Sequence, residues 1–442
     1  MKNIRVSYVV LFATLTLLWL LADDLARHSY SFWPLRKSMV QFSGILAMGA
    51  MSIAMLLIMR PVRVERFFDG LDKTYRLHKW LGISALVLSV AHWGWAQVPK
   101  WLVGWGWLER PLRKGAAQSP ETFFGYLHSL RGFAEDIGEW SFYAAVLLIV
   151  LALTKRFPYR WFFRTHRLLA LVYLLLVVHS VILLPADYWA SALGPLMLLL
   201  MMGGSVAAIV SLTRRVGRRH QVVGHIAELH HHRDNSVMQV SIALDGPWPG
   251  HLAGQFAFVT LDEREGPHPF TICSSWHDDG MLAFSIKGLG DYTRTLPEVL
   301  RLGDPVKVEG PYGCFDFRGR QPRQIWVAGG IGIAPFIARL QALALTGGGQ
   351  NVELFYSTSA PDRQFIEQIR ELATQAQVRL HVLVADEDGR LTPDRLRQMA
   401  PQWPHSDIWF CGPAGFARDL RRDLLGRGLS AADFHQELFN MR

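Results

Sequence analysis

Four histidines stand inside apolar sequence: His78 and His92 in one stretch, His166 and His179 in another, 14 and 13 residues apart. An ionisable side chain within a hydrocarbon-spanning helix costs roughly 2.5 kcal/mol or more, so four of them call for a common reason. At about 1.5 Å per residue, fourteen residues climb about 21 Å, enough for one helix to offer an imidazole near each face of a ~30 Å hydrocarbon core. Two such helices would complete two bis-histidine irons, and the groups expected there are two haems b. Fourteen residues return within roughly 40° of the same helix face, whereas thirteen leave His179 about 140° from His166, so tilt or local distortion must close that gap. The plainer reading of any one of these histidines is a hydrogen bond to a neighbouring helix or an interfacial position.

The elements that must hold them are apolar runs of spanning length near Val6 to Ala22, Met39 to Met59, Leu77 to Val98, Trp140 to Thr154, Leu168 to Leu184 and Tyr188 to Leu212. The fourth is the shortest. No such run recurs after Thr213, so the expected fold is multidomain: an all-α six-helix transmembrane bundle over residues 1–216, followed by a soluble half. The formal charge of +9 sits in particular loops rather than on a nucleic-acid face. Arg60, Arg63, Arg66, Lys73, Arg76 and Lys79 fill the second loop; Lys155, Arg156, Arg160, Arg164 and Arg167 the fourth; Arg214, Arg215, Arg218 and Arg219 follow the last run. The positive-inside rule makes these loops cytoplasmic, with both termini on that side of a bacterial inner membrane. The third and fifth helices then both run outward, which pairs His78 with His166 on the inner side and His92 with His179 on the outer. The first run has a basic start like a signal peptide but no convincing cleavage site, and is read as a retained helix. Cys273, Cys314 and Cys411 lack metal-ligand spacing. His230, His231 and His232 precede a turn and read as a solvated loop rather than a metal site.

The soluble half changes character once. From Gln221 to about Arg320, short alternating runs broken by Gly and Pro read as an antiparallel β-barrel (residues 217–322), with strands such as Val237 to Leu244, Gln255 to Leu261 and Leu282 to Lys287, and a helical insert from Thr293 to Arg301. From Gln324 onward strands and helices alternate, the pattern of an α/β parallel sheet (residues 323–442). Gly329, Gly330, Gly332 and Pro335 lie where a strand gives way to a helix, and glycines there let backbone N–H groups approach a pyrophosphate. This is neither the dinucleotide fingerprint nor a Walker loop, and by itself a Gly-rich turn can be packing.

An ordered set is more specific: His268-Pro269-Phe270-Thr271-Ile272, then Lys287-Gly288 through Thr293, then Gly310-Pro311-Tyr312, the Gly-rich turn, Cys411-Gly412-Pro413, and Phe439 near the C-terminus. This order resembles the ferredoxin-NADP reductase family, and with the paired membrane histidines nearly the whole chain resembles the NADPH oxidase and ferric reductase superfamily. The resemblance implies that Pro269, Phe270, Thr271 and Ile272 lie against the isoalloxazine of FAD with His268 beside them. Lys287, Gly288 and Thr293, the last opening a helix, would hold its pyrophosphate, with Gly310 and Tyr312 also at the flavin. Gly329, Gly330, Gly332 and Pro335 would form the NAD(P) turn, Cys411, Gly412 and Pro413 would border the nicotinamide, and Phe439 would stack on the flavin. Thr271, Cys411 and Phe439 are the residues it places at the hydride transfer. One departure concerns the donor: the family's arginine for the 2′-phosphate of NADPH is replaced by Ser359, leaving Ser357 or Arg363 to reach that group and the choice of NADH or NADPH open.

These parts belong together because nicotinamide delivers a hydride while each haem takes one electron, and FAD converts between the two. The expected function is electron transfer from cytoplasmic NAD(P)H through FAD and two haems to an extracytoplasmic acceptor, foremost O2 with superoxide as product. Bis-histidine ligation leaves no open iron site, so the acceptor reacts by outer-sphere transfer. A ferric or other metal-chelate reductase and an electron donor to an extracytoplasmic redox protein share this path; a histidine-based proton or metal transporter would need no haem. His128 and Arg131, in the long outer loop, could supply a cation beside the acceptor, but read better as polar groups of a surface helix. Partners expected are the lipid membrane and a small-molecule acceptor, with no nucleic acid and no obligatory protein partner.

Overall fold

The computed structural model describes residues 2–23, 31–110, 123–154 and 156–437. Lys155 and Phe439, both used above, lie outside them. One compact unit holds the apolar helices up to Val216, and a second runs from Gly217.

Among the described residues, six helices of the first unit are long and apolar enough to cross a membrane. They are α1 (Lys2–Ala22), α2 (Phe32–Leu57), α3 (Leu71–Gly104), α4 (Arg131–Leu153), α5 (Tyr159–Leu183) and α6 (Leu193–Leu212). The fourth is not the short one. Its helix extends back to Arg131 through Glu135, Asp136 and Glu139, polar residues that mask the hydropathy signal but do not interrupt helical hydrogen bonding. Leu15, Ile45, Met48, Tyr173, Met197 and Met201 form the centre of the bundle. Much of the remaining apolar surface, such as Leu147, Val150, Leu199 and Val206, faces outward, as lipid-facing residues must.

In the second unit, six antiparallel strands run in the order β4-β3-β6-β1-β2-β5. They are β1 (Gln221–His232), β2 (Val237–Leu244), β3 (Phe256–Thr260), β4 (His268–Thr271), β5 (Met281–Lys287) and β6 (Pro305–Tyr312). The bridge from Ile272 to Phe284 joins β4 to β5 and closes the sheet on itself. Alternation explains the inward face: Val240, Ile242, Phe284 and Val308 fill the interior. Helix α7 spans Asp291–Val299. It therefore opens at Asp291, two residues before Thr293, whose Oγ1 instead accepts from the backbone N–H groups of Leu289 and Gly290 at 3.1 and 3.0 Å.

A five-stranded parallel sheet follows, in the order β11-β10-β7-β8-β9. Its members are β7 (Arg323–Gly329), β8 (Val352–Thr358), β9 (Arg379–Val384), β10 (Ser406–Cys411) and β11 (Phe434–Gln436). The strands β7 and β10 are buried almost throughout, because helices cover both faces. On one side lie α8 (Ala334–Thr346) and α9 (Arg363–Gln375), on the other α10 (Pro393–Met399) and α11 (Ala414–Gly426). The core of this layer reaches back to Phe315 and Phe317, which pack on Trp326, Phe336 and Trp409. The packing thus begins several residues before the strand that opens the sheet.

Candidate functional site

The four membrane histidines meet across helices in two pairs. The imidazole centres of His78 and His166 are 5.9 Å apart, and those of His92 and His179 are 6.1 Å apart. With metal–imidazole bonds of about 2.0 Å, and about 1.1 Å more to each ring centre, one metal held between two imidazoles sets the ring centres about 6 Å apart. The rings are also oriented by second partners. Nδ1 of His78 lies 3.0 Å from the Ala54 carbonyl, Nδ1 of His92 is 2.9 Å from that of Val40, and Nδ1 of His179 is 2.7 Å from that of Ala134. Donating N–H from Nδ1 leaves the Nε2 lone pair as ligand, the arrangement typical of metal-bound histidine. His166 is held differently: its ring stacks on Phe162 at 5.0 Å, and its buried Nδ1 has no hydrogen-bond partner.

The fifth helix carries no break between its two histidines. α5 is continuous from Tyr159 to Leu183. Its two histidines leave from different sides: His179 is anchored to α4, whereas Tyr173, on the His166 face, bonds Ser52 of α2 at 2.8 Å and packs against α6. Glycines make the room. A Cβ on Gly138 would lie 2.2 Å from Nδ1 of His179, and one on Gly44 would lie 3.1 Å from the His92 ring. Neither glycine nor any of the three carbonyl partners was among the residues singled out from sequence; the signal available was a small residue on the helix facing each ring.

Near the outer pair, Arg36 donates to the carbonyls of Trp95 at 2.9 Å and Ala96 at 2.8 Å, three and four residues beyond His92. Arg131 instead forms an exposed pair with Glu135 one turn along α4, at 2.8 Å, and His128 is exposed, in keeping with a polar surface helix. Among the described residues no group of three or more His, Cys, Asp or Glu is placed to hold a metal. His232 departs from the solvated loop expected of it. It ends β1 and is 2% exposed, packed on Phe365 with Nδ1 3.5 Å from Asp362. The strand continues through the histidine run, and its last residue is covered by α9.

In the barrel, β4 presents His268, Pro269 and Phe270, all half-buried, and Thr271, buried. The His268 ring stacks on Tyr292 at 4.9 Å and runs nearly parallel to Phe270. Burial pushes the His268 imidazole down to about 4, so it is neutral at pH 7. Burial, reinforced by Asp262 and Glu265, raises the Tyr292 phenol. Tyr292 was not singled out, although it stands between Lys287 and Thr293. Ile272 is fully buried at the barrel seam. Tyr312 is buried against Phe258 with its hydroxyl donating to Glu309 at 2.7 Å, beside Gly310, so both belong to the packed wall of β6.

The parallel sheet gathers the remaining residues along the carboxyl ends of its strands, the usual ligand edge of such sheets. Gly329 pairs in register with Ser357, and Cys411 with Ala328. The two loops beyond them touch: a Cβ on Gly332 would lie 2.2 Å from the Cys411 carbonyl oxygen, and one on Gly329 would lie 2.6 Å from Pro413. Gly412 sits 3.0 Å from Gly329 in the same sense. Gly330 takes φ +56, and the Lys287 ammonium of the barrel, beside Gly288, is 4.0 Å from where its Cβ would stand. A short 3-10 turn over Gly330–Ile333 leads into α8, with Pro335 in its first turn. Burial raises the Cys411 thiol well above its ordinary value, helped by Glu437, so the sulfur is protonated. Arg363 is exposed at the start of α9, next to the cap residue Asp362.

Residues 43–177 match the family described as ferric reductase like transmembrane component, a stretch containing His78, His92 and His166 and ending two residues before His179. This part of the chain is thus similar to ferric-reductase-like transmembrane components, and with the reductase-like half that follows it the chain fits the NADPH oxidase and ferric reductase superfamily. It is a multi-pass membrane oxidoreductase whose second unit is a reductase module of the FAD- and NAD(P)-binding kind. That half is 25% identical over 233 residues to the electron transfer component of toluate 1,2-dioxygenase from Pseudomonas putida, covering 50% of this chain and 68% of that protein. It is 28% identical over 143 residues to a flavohemoprotein of Vibrio cholerae, covering 32% of this chain and 36% of that one. The chain spans about half the length of other curated relatives. A flavohemoglobin structure from Malassezia yamatoensis, with bound FAD and heme, aligns over 92% of this chain and 98% of its own at 16% identity and a TM-score of 0.48.

Proposed function

We propose that this oxidoreductase moves electrons from cytoplasmic NAD(P)H through FAD and two haems b to an acceptor on the far side of a bacterial inner membrane. The observation that carries this reading is the meeting of four histidines in two cross-helix pairs, each at the separation one iron requires. His78 and His166 would hold the inner haem, and His92 and His179 the outer. When bound, FAD takes a hydride and releases electrons singly, and the haems carry them one at a time. The chain's own residues do the positioning. Thr271 and the His268 to Phe270 segment wall the flavin, Lys287 brings positive charge to the Gly330 turn for a pyrophosphate, and the Gly329 to Gly332 and Cys411 to Pro413 loops frame the nicotinamide. Ser357 and Arg363 stand where the adenosine end would lie, open to either NADH or NADPH. The basic loops favour a cytoplasmic position for both termini.

With His78 and His166, and His92 and His179, each holding one haem, the haems would supply single electrons to an acceptor they do not bind, and O2 giving superoxide is the reading preferred. Among the described residues, Arg36, held by the carbonyls of Trp95 and Ala96, would bring positive charge there rather than His128 or Arg131. The description of the matching family favours a second reading, a ferric chelate as acceptor over the same path. No obligatory protein partner enters either scheme. The test is to reduce the haem- and FAD-loaded protein with excess NAD(P)H without oxygen, then mix it with air. Fast haem reoxidation with superoxide release supports the oxidase. Haems that stay reduced in air and reoxidise with a ferric chelate make it a metalloreductase, and absence of haem overturns both.

A further inference from the structure

NADH and NADPH offer a donor site the same nicotinamide and the same pyrophosphate. They differ only at the 2′-oxygen of the adenosine ribose, a hydroxyl in one and a phosphate of about −1.5 to −2 charge in the other. The groups beside that atom therefore decide between them.

The parallel sheet places it. With the pyrophosphate on the Gly330 turn beyond β7 and the nicotinamide beside Cys411 on β10, the adenosine runs the opposite way, across the ends of β8 and β9. Neighbouring strands lie about 4.8 Å apart, so the end of β9 is about 10 Å from that turn, one ribose beyond the pyrophosphate. There β8 and β9 are in register, Ser357 opposite Leu383 and Thr358 opposite Val384. The next residue on β8 is Ser359, exposed and uncharged. On β9 the chain passes at once into Ala385–Asp388, a single helical turn whose three carboxylates, Asp386, Glu387 and Asp388, are all exposed. This turn is fixed to the strand end, because Asp388 accepts from the Val384 N–H at 2.9 Å.

The other charges at this end do not reverse its sign. Asp362 caps α9 by accepting from the Phe365 N–H at 2.9 Å and lies 3.5 Å from Nδ1 of the buried His232. Arg395 is held to the turn by the backbone carbonyls of Asp388 and Gly389. Arg363 and Arg390 are exposed, but one directly follows Asp362 and the other follows the acidic turn. Carboxylates thus outnumber guanidinium groups here, and a 2′-phosphate would add to the side already in excess.

We propose that the electron donor is NADH, selected by the Ala385–Asp388 turn, with Asp386 accepting a hydrogen bond from the adenosine 2′-hydroxyl and repelling a 2′-phosphate. A carboxylate does both, since it is acceptor-only and its charge is of the same sign as the phosphate. Asp386 is the first carboxylate past the Thr358 and Val384 pair, whereas Asp388 is committed to the Val384 N–H. The assignment rests on the donor site of the path proposed above, not on its haems.

The test uses the full FAD-loaded chain in detergent, with ferricyanide taking electrons at the flavin. kcat/KM for NADH should exceed that for NADPH about 100-fold, the effect of a like-charge contact. Raising the ionic strength from about 0.01 M to about 1 M should narrow that ratio, because salt screens the repulsion. Asp386→Asn should narrow it about tenfold and Asp386→Arg should reverse it, with flavin absorbance reporting that the variants keep FAD. ADP-ribose should bind the parent protein more tightly than its 2′-phosphorylated form in calorimetry, a readout free of electron transfer. Equal or better use of NADPH, or a ratio that neither substitution moves, overturns the proposal. If neither nucleotide binds, the donor site falls and the preference with it. NADH preference in a chain that takes up no haem overturns the electron path and leaves the donor assignment standing.

Discussion

At the residue scale, the space around each imidazole is the most sensitive feature of the membrane unit. Because a Cβ on Gly138 would fall 2.2 Å from the His179 ring, Gly138→Ala must move the imidazole or the helix. It should remove the outer haem from an otherwise folded protein, halving the haem per chain in a pyridine haemochrome assay. Gly44→Ala, with 3.1 Å to the His92 ring, should keep both haems and shift only the outer midpoint potential. His268 gives a second prediction, of pH dependence. Its folded value near 4 lies below its ordinary 6.5, so the unfolded chain binds the extra proton first. The stability that neutral His268 lends is complete above about pH 6.5 and is lost as pH falls toward 4, up to about 3 kcal/mol. His268→Phe keeps the stack with Tyr292 and Phe270 and should flatten the fall in Tm of flavin-free protein between pH 6.5 and 4.5; an unchanged slope would assign the titration elsewhere.

At the scale of elements, the two loops at the carboxyl edge of the parallel sheet act as one wall. Gly332 backs directly on the Cys411 carbonyl, and backbone cannot yield as a side chain can. Gly332→Ala should therefore spread the loops and lower kcat/KM for NAD(P)H by about 100-fold, as a displacement near 1 Å does, with FAD content unchanged. Measuring flavin absorbance beside steady-state kinetics separates this from unfolding. The strand and helix order of this sheet was readable because strands buried on both faces are nearly continuous apolar runs. The histidine run was misread as a loop for the opposite reason: three polar residues break alternation, and the strand continues through its pairing with β2 and the packing of α9 on His232.

At the scale of the molecule, the order of the carriers makes a prediction that no local site can. His78→Leu should stop reduction of every acceptor on the outer side, while NAD(P)H-driven reduction of a soluble dye at the flavin continues at the parent rate. His92→Leu should leave the inner haem reducible by NAD(P)H and abolish superoxide or ferrous product. If dye reduction failed with His78→Leu, the soluble module would depend on the membrane unit for its folding rather than for its electrons.

Residue types and spacing alone determined the six apolar spans, the basic loops, the change from barrel to parallel sheet near Arg323, and the identity of the partner for each membrane histidine. These follow from local rules: hydrophobic length, strand alternation and glycine at strand ends. Tertiary structure decided how the pairs close. The 13-residue interval called for tilt or local distortion of α5; that helix is unbroken, with His179 bonded to α4 and Tyr173, on the His166 face, bonded to α2. It alone also placed Gly138 and Gly44 behind the rings, Arg36 beside the outer pair, and Glu139 among Trp93, Gln97 and Tyr143. Apart from the i,i+4 bond of Tyr143 to Glu139, each of these joins residues tens of positions apart on different helices, and a contact of that kind is fixed by which helix faces meet, a property that no single stretch of sequence carries.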